Sequence, residues 1–151
     1  MMLRSMLFAA MLTALQPITA AHAQQPQLPM VRLTAGMQLV QAEVADSFGT
    51  RMQGLMQRPS LAPNHGMLFL FDSDERQCMW MKNTLIPLSV AFIDARGAII
   101  NIADMQPHSE DSHCSARPAR YALEMKQGWF RERGVKPGIN IRGIPGVPAG
   151  K

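Results

Sequence analysis

The sequence predicts a mainly β protein: an antiparallel sandwich or barrel of about seven or eight short strands with one or two short helices. Three observations lead there. Apolar and polar residues alternate with the two-residue period of a strand over 39–45 and 121–126. Continuous apolar runs, such as 67–71 and 88–93, are only as long as a strand. Turns bearing Gly, Pro, Asn or Asp separate these runs throughout.

The N-terminus carries a different signal. Arg4 precedes an uncharged apolar run over 6–15, Pro17 interrupts any helix, and Ala21-His22-Ala23 puts small residues where a signal peptidase reads them. This pattern predicts a signal peptide over 1–23, cleaved after Ala23, and a mature protein that is periplasmic or secreted. A retained anchor would need about 20 apolar residues, roughly twice this run. No membrane span is therefore expected after cleavage. Residues 24–30 read as a flexible lead-in, 31–142 as a single β-rich domain, and 143–151, with its Gly and Pro, as a disordered tail.

Within the domain, 31–34 and 39–45 form the first two strands around Ala35-Gly36. Asp46-Ser47 caps a short helix reaching Met56, with Phe48, Met52, Leu55 and Met56 at helical spacing. The run 67–71 reads as a strand buried on both faces. Residues 78–81 form the next strand and are followed by the polar Lys82-Asn83-Thr84. The runs 88–93 and 98–105 flank Asp94-Ala95-Arg96-Gly97 as a hairpin. A long polar loop over 106–117 leads to a strand at 121–126, a helical turn or two at 127–133, and a closing strand at 139–142.

The formal net charge of +4 comes from scattered basic residues. Arg131 and Arg133 stand closest, with Glu132 between them. No basic run interleaves with aromatics, so the pattern predicts no nucleic-acid partner. The two Cys, Cys78 and Cys114, both fall in the exported part. An even pair in an oxidising compartment predicts a disulfide, stabilising by roughly 4 kcal/mol in the chain-entropy model. His113 adjoins Cys114, but neighbours on a strand point to opposite faces, which argues against a catalytic thiol.

The stretches Arg51-Met52-Gln53-Gly54-Leu55-Met56, Gly66-Met67-Leu68-Phe69 and Met79-Trp80-Met81-Lys82-Asn83-Thr84 stand in this order. Ile86-Pro87-Leu88, Phe92-Ile93-Asp94, Pro107, Leu123-Glu124 and Gly128 follow. Together they resemble the domain-of-unknown-function family 192 over nearly the whole mature domain. The resemblance implies a compact, mainly β domain, often exported, and brings no established activity. Where that pattern commonly has an acidic residue after Pro-Leu, this chain has Ser89.

The residues themselves suggest one polar site. Lys82, Asn83 and Thr84 offer a cation, an amide and a hydroxyl between apolar runs, while Arg51 and Glu124 sit among apolar neighbours. Brought together, the five would form a pocket for a small ligand. Alternatively, Glu124 pairs with Arg51 or Lys82, and Asn83 and Thr84 satisfy turn backbone. The expected function is a non-enzymatic exported domain, without a cofactor, binding a small polar ligand or a protein partner. An enzyme site around Lys82, Asn83 and Glu124 is one alternative. Copper binding is another, drawing on Met67, Met79, Met81, Met105 and Met125 with His65, His108 and His113, since thioether and imidazole suit copper. Against copper, Met ordinarily fills core gaps, and no His-x-His or Cys-x-x-Cys spacing is present. A Gly-x-Ser-x-Gly elbow is absent as well.

Overall fold

The computed structural model describes residues 27–148. The signal peptide expected over 1–23 and its cleavage site lie outside the described residues. Strands β1 (Met30–Ala35) and β2 (Gln38–Ala45) form an antiparallel hairpin that turns at Gly36, where φ is 60°. Ser47 starts helix α1 (Phe48–Gln53) with a reciprocal capping box to Thr50, and Gly54 ends it. The helix is shorter than the sequence suggests, because Gly54 leaves helical geometry at φ 46° and ψ −135°. Next come β3 (His65–Glu75), β4 (Cys78–Met79), β5 (Leu88–Ile93) and β6 (Ile99–Met105). The chain continues with β7 (His113–Cys114), β8 (Ala119–Lys126), α2 (Trp129–Glu132) and β9 (Ile141–Arg142).

Seven strands make one sheet in the order β6-β5-β8-β3-β2-β1-β9, and β4 pairs with β7 in a separate ribbon. The large sheet curls until its two ends meet. Ala98 bridges to Asn140, the Ile99 N–H donates to the Ile139 carbonyl at 2.9 Å, and the Ile141 N–H donates to the Gly97 carbonyl at 2.8 Å. Curling of this kind satisfies edge groups that an open sheet would leave bare. One pairing departs from the antiparallel expectation: β2 and β3 run parallel, with Gln41 opposite His65 and Ala45 opposite Phe69. Parallel neighbours need a long crossover, and α1 with the segment after it provides one.

Two apolar clusters lie on opposite faces of the central strands. Leu68, Leu123 and Ile93 pack into the first, with Trp129 and Phe130 of α2. Met67, Phe69, Val90 and Ala122 point to the second, which Leu55, Met81 and the partly buried Met79 cover. The strand β3 is therefore buried on both faces over 67–69, as the continuous apolar run implies. Sealing both faces is what lets so small a domain bury a sizeable core.

Several local expectations change. Of the apolar residues at helical spacing, Phe48 and Met52 are 76% and 47% exposed, whereas Leu55 is buried. The long polar loop contains β7, held opposite β4 by the Cys78–Cys114 disulfide. Residues inside the expected lead-in (24–30) and tail (143–151) pack on the domain. Leu28 packs on the second cluster, and the Pro29 carbonyl accepts the Val44 N–H at 2.8 Å. At the other end, Ile144 is buried and Val147 packs on the first cluster.

The hairpin at 94–97 is as expected, with Gly97 at φ 91°. Burial pushes the Asp94 carboxyl up, but bonds from the Ala98 and Arg96 N–H groups and the Arg117 guanidinium outweigh it and leave the carboxyl below its ordinary value.

Candidate functional site

Glu124 stands in the middle of β8, opposite Met67 on β3 and Val90 on β5. Directly opposed residues share a face, so its side chain points to the second cluster with those two. Only 3% of the residue is exposed. Among the described residues its carboxyl has neither an ion-pair partner nor a hydrogen bond, and burial alone pushes its pKa up from 4.5 to about 8. At neutral pH this side chain is mostly an uncharged acid.

That carboxyl opens into a pocket of about 230 Å³. Phe48, Arg51 and Met52 of α1 line it together with Phe69 and Phe71 of β3, Met79 of the ribbon, Trp80 just after it, Thr84 and Leu55. The disulfide contributes to the lining through Cys78. The apolar residues left exposed on α1 are thus the rim of a cavity, which explains why a helix without a single buried residue carries Phe48 and Met52.

The five residues singled out in the sequence divide. Arg51, Thr84 and Glu124 converge on the pocket, whereas Lys82 and Asn83 do not line it. The Arg51 guanidinium donates to the Asp46 and Leu70 carbonyls, each at 2.8 Å, and pairs with the Asp72 carboxylate. Thr84 is buried, and its hydroxyl donates to the Lys82 carbonyl at 3.3 Å. Lys82 turns outward, 3.8 Å from Glu110 and 5.2 Å from the centre of the Trp80 ring. Asn83 takes a left-handed turn conformation (φ 54°), and its carbonyl accepts the Gln57 N–H at 3.0 Å.

Two expectations are corrected here. Glu124 pairs with neither Arg51 nor Lys82, because Asp72 and Glu110 lie closer to those cations. A centre built from Lys82, Asn83 and Glu124 together is likewise not assembled. The aromatic and thioether walls were missed in the sequence reading. Their one local signal is Phe48 and Met52 on a helix too short to have a sealed face.

Met67, Met81, Met105 and Met125 are fully buried in the two clusters. Met79 lies opposite His113 on the ribbon. His65 begins β3, and His108 sits in a turn at φ 61°. Among the described residues, no three His, Cys, Asp or Glu side chains are grouped to hold a metal. Ser89 is buried elsewhere, on β5. Its hydroxyl donates to Asp104 of β6, so a carboxylate still reaches the position where the family pattern has an acid.

Fold and pocket together define a small, mainly β domain with a curled, half-closed sheet and a cavity on the side of its second cluster. The chain belongs to the domain-of-unknown-function family 192 ("Uncharacterized ACR"), whose model matches residues 31–143. It is similar to a Sinorhizobium meliloti 1021 protein of known structure, provisionally labelled a transcription regulator. Identity is 40% and the TM-score 0.71, covering 76% of this chain and 92% of that one. It is also similar to a protein of unknown function from Novosphingobium aromaticivorans DSM 12444, with 29% identity and a TM-score of 0.69, covering 84% of this chain and 99% of that one. Among curated proteins no sequence matches. Within the described residues, no helix is long and apolar enough to cross a membrane.

Proposed function

We propose that this is an exported, non-enzymatic domain that binds a small molecule in the pocket above Glu124. One observation carries the reading: a carboxyl on a buried residue, without a protein partner, facing a cavity with apolar walls. An unpaired buried polar group costs about 1–3 kcal/mol. Structural carboxylates avoid that cost by pairing, as Asp94 does here. A group that bears it is suited to a ligand that arrives later. The cavity is small beside typical ligand sites of roughly 300–1,000 Å³, which suits a compact molecule.

Catalysis has less support. A general acid needs a second group to act on the substrate, but Arg51 is committed to Asp72 and two carbonyls, and Lys82 faces away. Export is supported by the tripartite N-terminus and by a disulfide that holds one wall of the pocket in place. The regulator label belongs to the Sinorhizobium protein. Here Arg51, the basic side chain that lines the site, is engaged with Asp72, which favours a small ligand over nucleic acid.

The test uses the mature protein and the uncharged fluorescent probe N-phenylnaphthylamine. Saturable binding is expected. Trp80→Ala and Phe48→Ala, both at exposed rim positions, should each weaken it at least tenfold with unchanged thermal stability. Absence of binding, or binding indifferent to both substitutions, would refute the pocket.

A further inference from the structure

We infer that the molecule held in this pocket carries an ammonium group on a compact apolar body, with the Glu124 carboxylate as its counter-ion. The inference rests on the proposed pocket and specifies its ligand. The polar groups that face the cavity narrow the choice. Arg51 has its charge cancelled by Asp72 and further donors spent on carbonyls. The Thr84 hydroxyl is committed to the Lys82 carbonyl, and the Gln77 amide donates to the Ser73 carbonyl at 3.4 Å. Among the buried side chains that line the cavity, what remains without a partner is the Glu124 carboxyl, while the unpaired Gln53 amide lies exposed to water.

An ionised carboxylate only accepts hydrogen bonds and has about four sites for them. An ammonium supplies three donors and the opposite charge, and charge-assisted bonds of this kind are about twice as strong as neutral ones. An anionic ligand would instead hold the Glu124 carboxyl in its uncharged form and gain only a single O–H donor from it. The walls agree with this choice. Trp80, Phe69, Phe71 and Phe48 present aromatic rings, whose faces attract cations. The Trp80 ring already holds one ammonium, that of Lys82, at 5.2 Å. The cavity volume of about 230 Å³ suits a compact apolar body.

Binding of this ligand moves a proton. In the empty pocket Glu124 is mostly protonated below pH 8. The incoming ammonium therefore forms its ion pair as the carboxyl releases its proton to solvent, and the charge balances. The charged groups around Glu124 are Arg51 of α1, which lines the cavity, and its partner Asp72 of β3. The ribbon and the segment through Thr84 present no titratable side chain to the cavity. Affinity should thus rise close to tenfold per pH unit from pH 6 toward 8 and level off above.

The experiment compares 3-phenylpropylamine with 3-phenylpropan-1-ol by calorimetry on the mature protein at pH 8.5. The amine should bind at least tenfold more tightly than the alcohol, and Glu124→Gln should bring it down to the level of the alcohol. Equal affinities for the two compounds, or a preference that survives Glu124→Gln, would overturn the ammonium while leaving the pocket standing. If N-phenylnaphthylamine binds but neither compound does, the ligand class is wrong. If nothing binds, the pocket falls with it. Should the Gln variant fail to fold, the amine-to-alcohol ratio and its pH slope in the unmodified protein decide the matter.

Discussion

Ser89 on β5 and Asp104 on β6 face each other across the antiparallel register, and one hydroxyl joins three elements there. The Ser89 hydroxyl donates to the Asp104 carboxylate and accepts the Gly128 N–H at 2.9 Å, fixing the turn that starts α2. Arg131 closes the cluster 3.1 Å from Asp104. Ser89→Ala strands the Gly128 N–H and should cost about 2 kcal/mol. Urea denaturation measures this, and a loss below about 0.5 kcal/mol would mean that water replaces the hydroxyl without penalty.

Glu124 should make stability depend on pH in a direction opposite to that of a paired carboxylate. Its folded pKa of about 8 lies above the ordinary 4.5, so between these values the folded state holds a proton that the unfolded chain has released. This contribution is fully present below pH 4.5 and is lost as pH rises through 8. Relative to Glu124→Gln, which keeps the shape without the charge, the unmodified protein should lose several kcal/mol between pH 5 and 9. Parallel stability curves for the two proteins would show that Glu124 is not buried as an acid.

Two glycines should respond in opposite ways to alanine. Gly66 sits on β3 opposite Met125, and a Cβ there would collide with the Glu124 carbonyl oxygen and the Met125 sulfur. Gly66→Ala should cost about 3 kcal/mol by forcing β3 from β8. Gly49 lies in α1 with open space around its Cβ position. Gly49→Ala should stabilise by about 0.5–1 kcal/mol through the smaller entropy loss on helix formation. Thermal melts of both variants check the pair, and equal effects would contradict the packing at Gly66.

The exported product should begin at Gln24, with both thiols unreactive until a reductant is added. Intact-mass measurement and thiol labelling under denaturing conditions report the two features together. A product starting at Met1, or stoichiometric labelling of Cys78 and Cys114 without reduction, would count against export.

The signals legible in the sequence are local ones. The alternation at 121–126, the apolar run at 67–71 and the Asp94–Gly97 turn each follow from the geometry of a few consecutive residues, and each stands in the structure as expected. The disulfide was legible because only two Cys exist to pair. At the site, Arg51, Thr84 and Glu124 could be picked out as polar residues among apolar neighbours, and these three do meet.

Tertiary structure decided which strands and side chains became neighbours. A period of two assigns side chains to faces but is silent on which strand lies alongside, so the parallel pairing of β2 with β3 and the meeting of the sheet's ends come only from the curled arrangement. The partner of an ion depends on distances across the fold, which is why Asp72 and Glu110 claimed Arg51 and Lys82. Glu124 was left to face a cavity for the same reason. Its neighbours on β3 and β5 are Met67 and Val90, and neither has a hydrogen bond to offer.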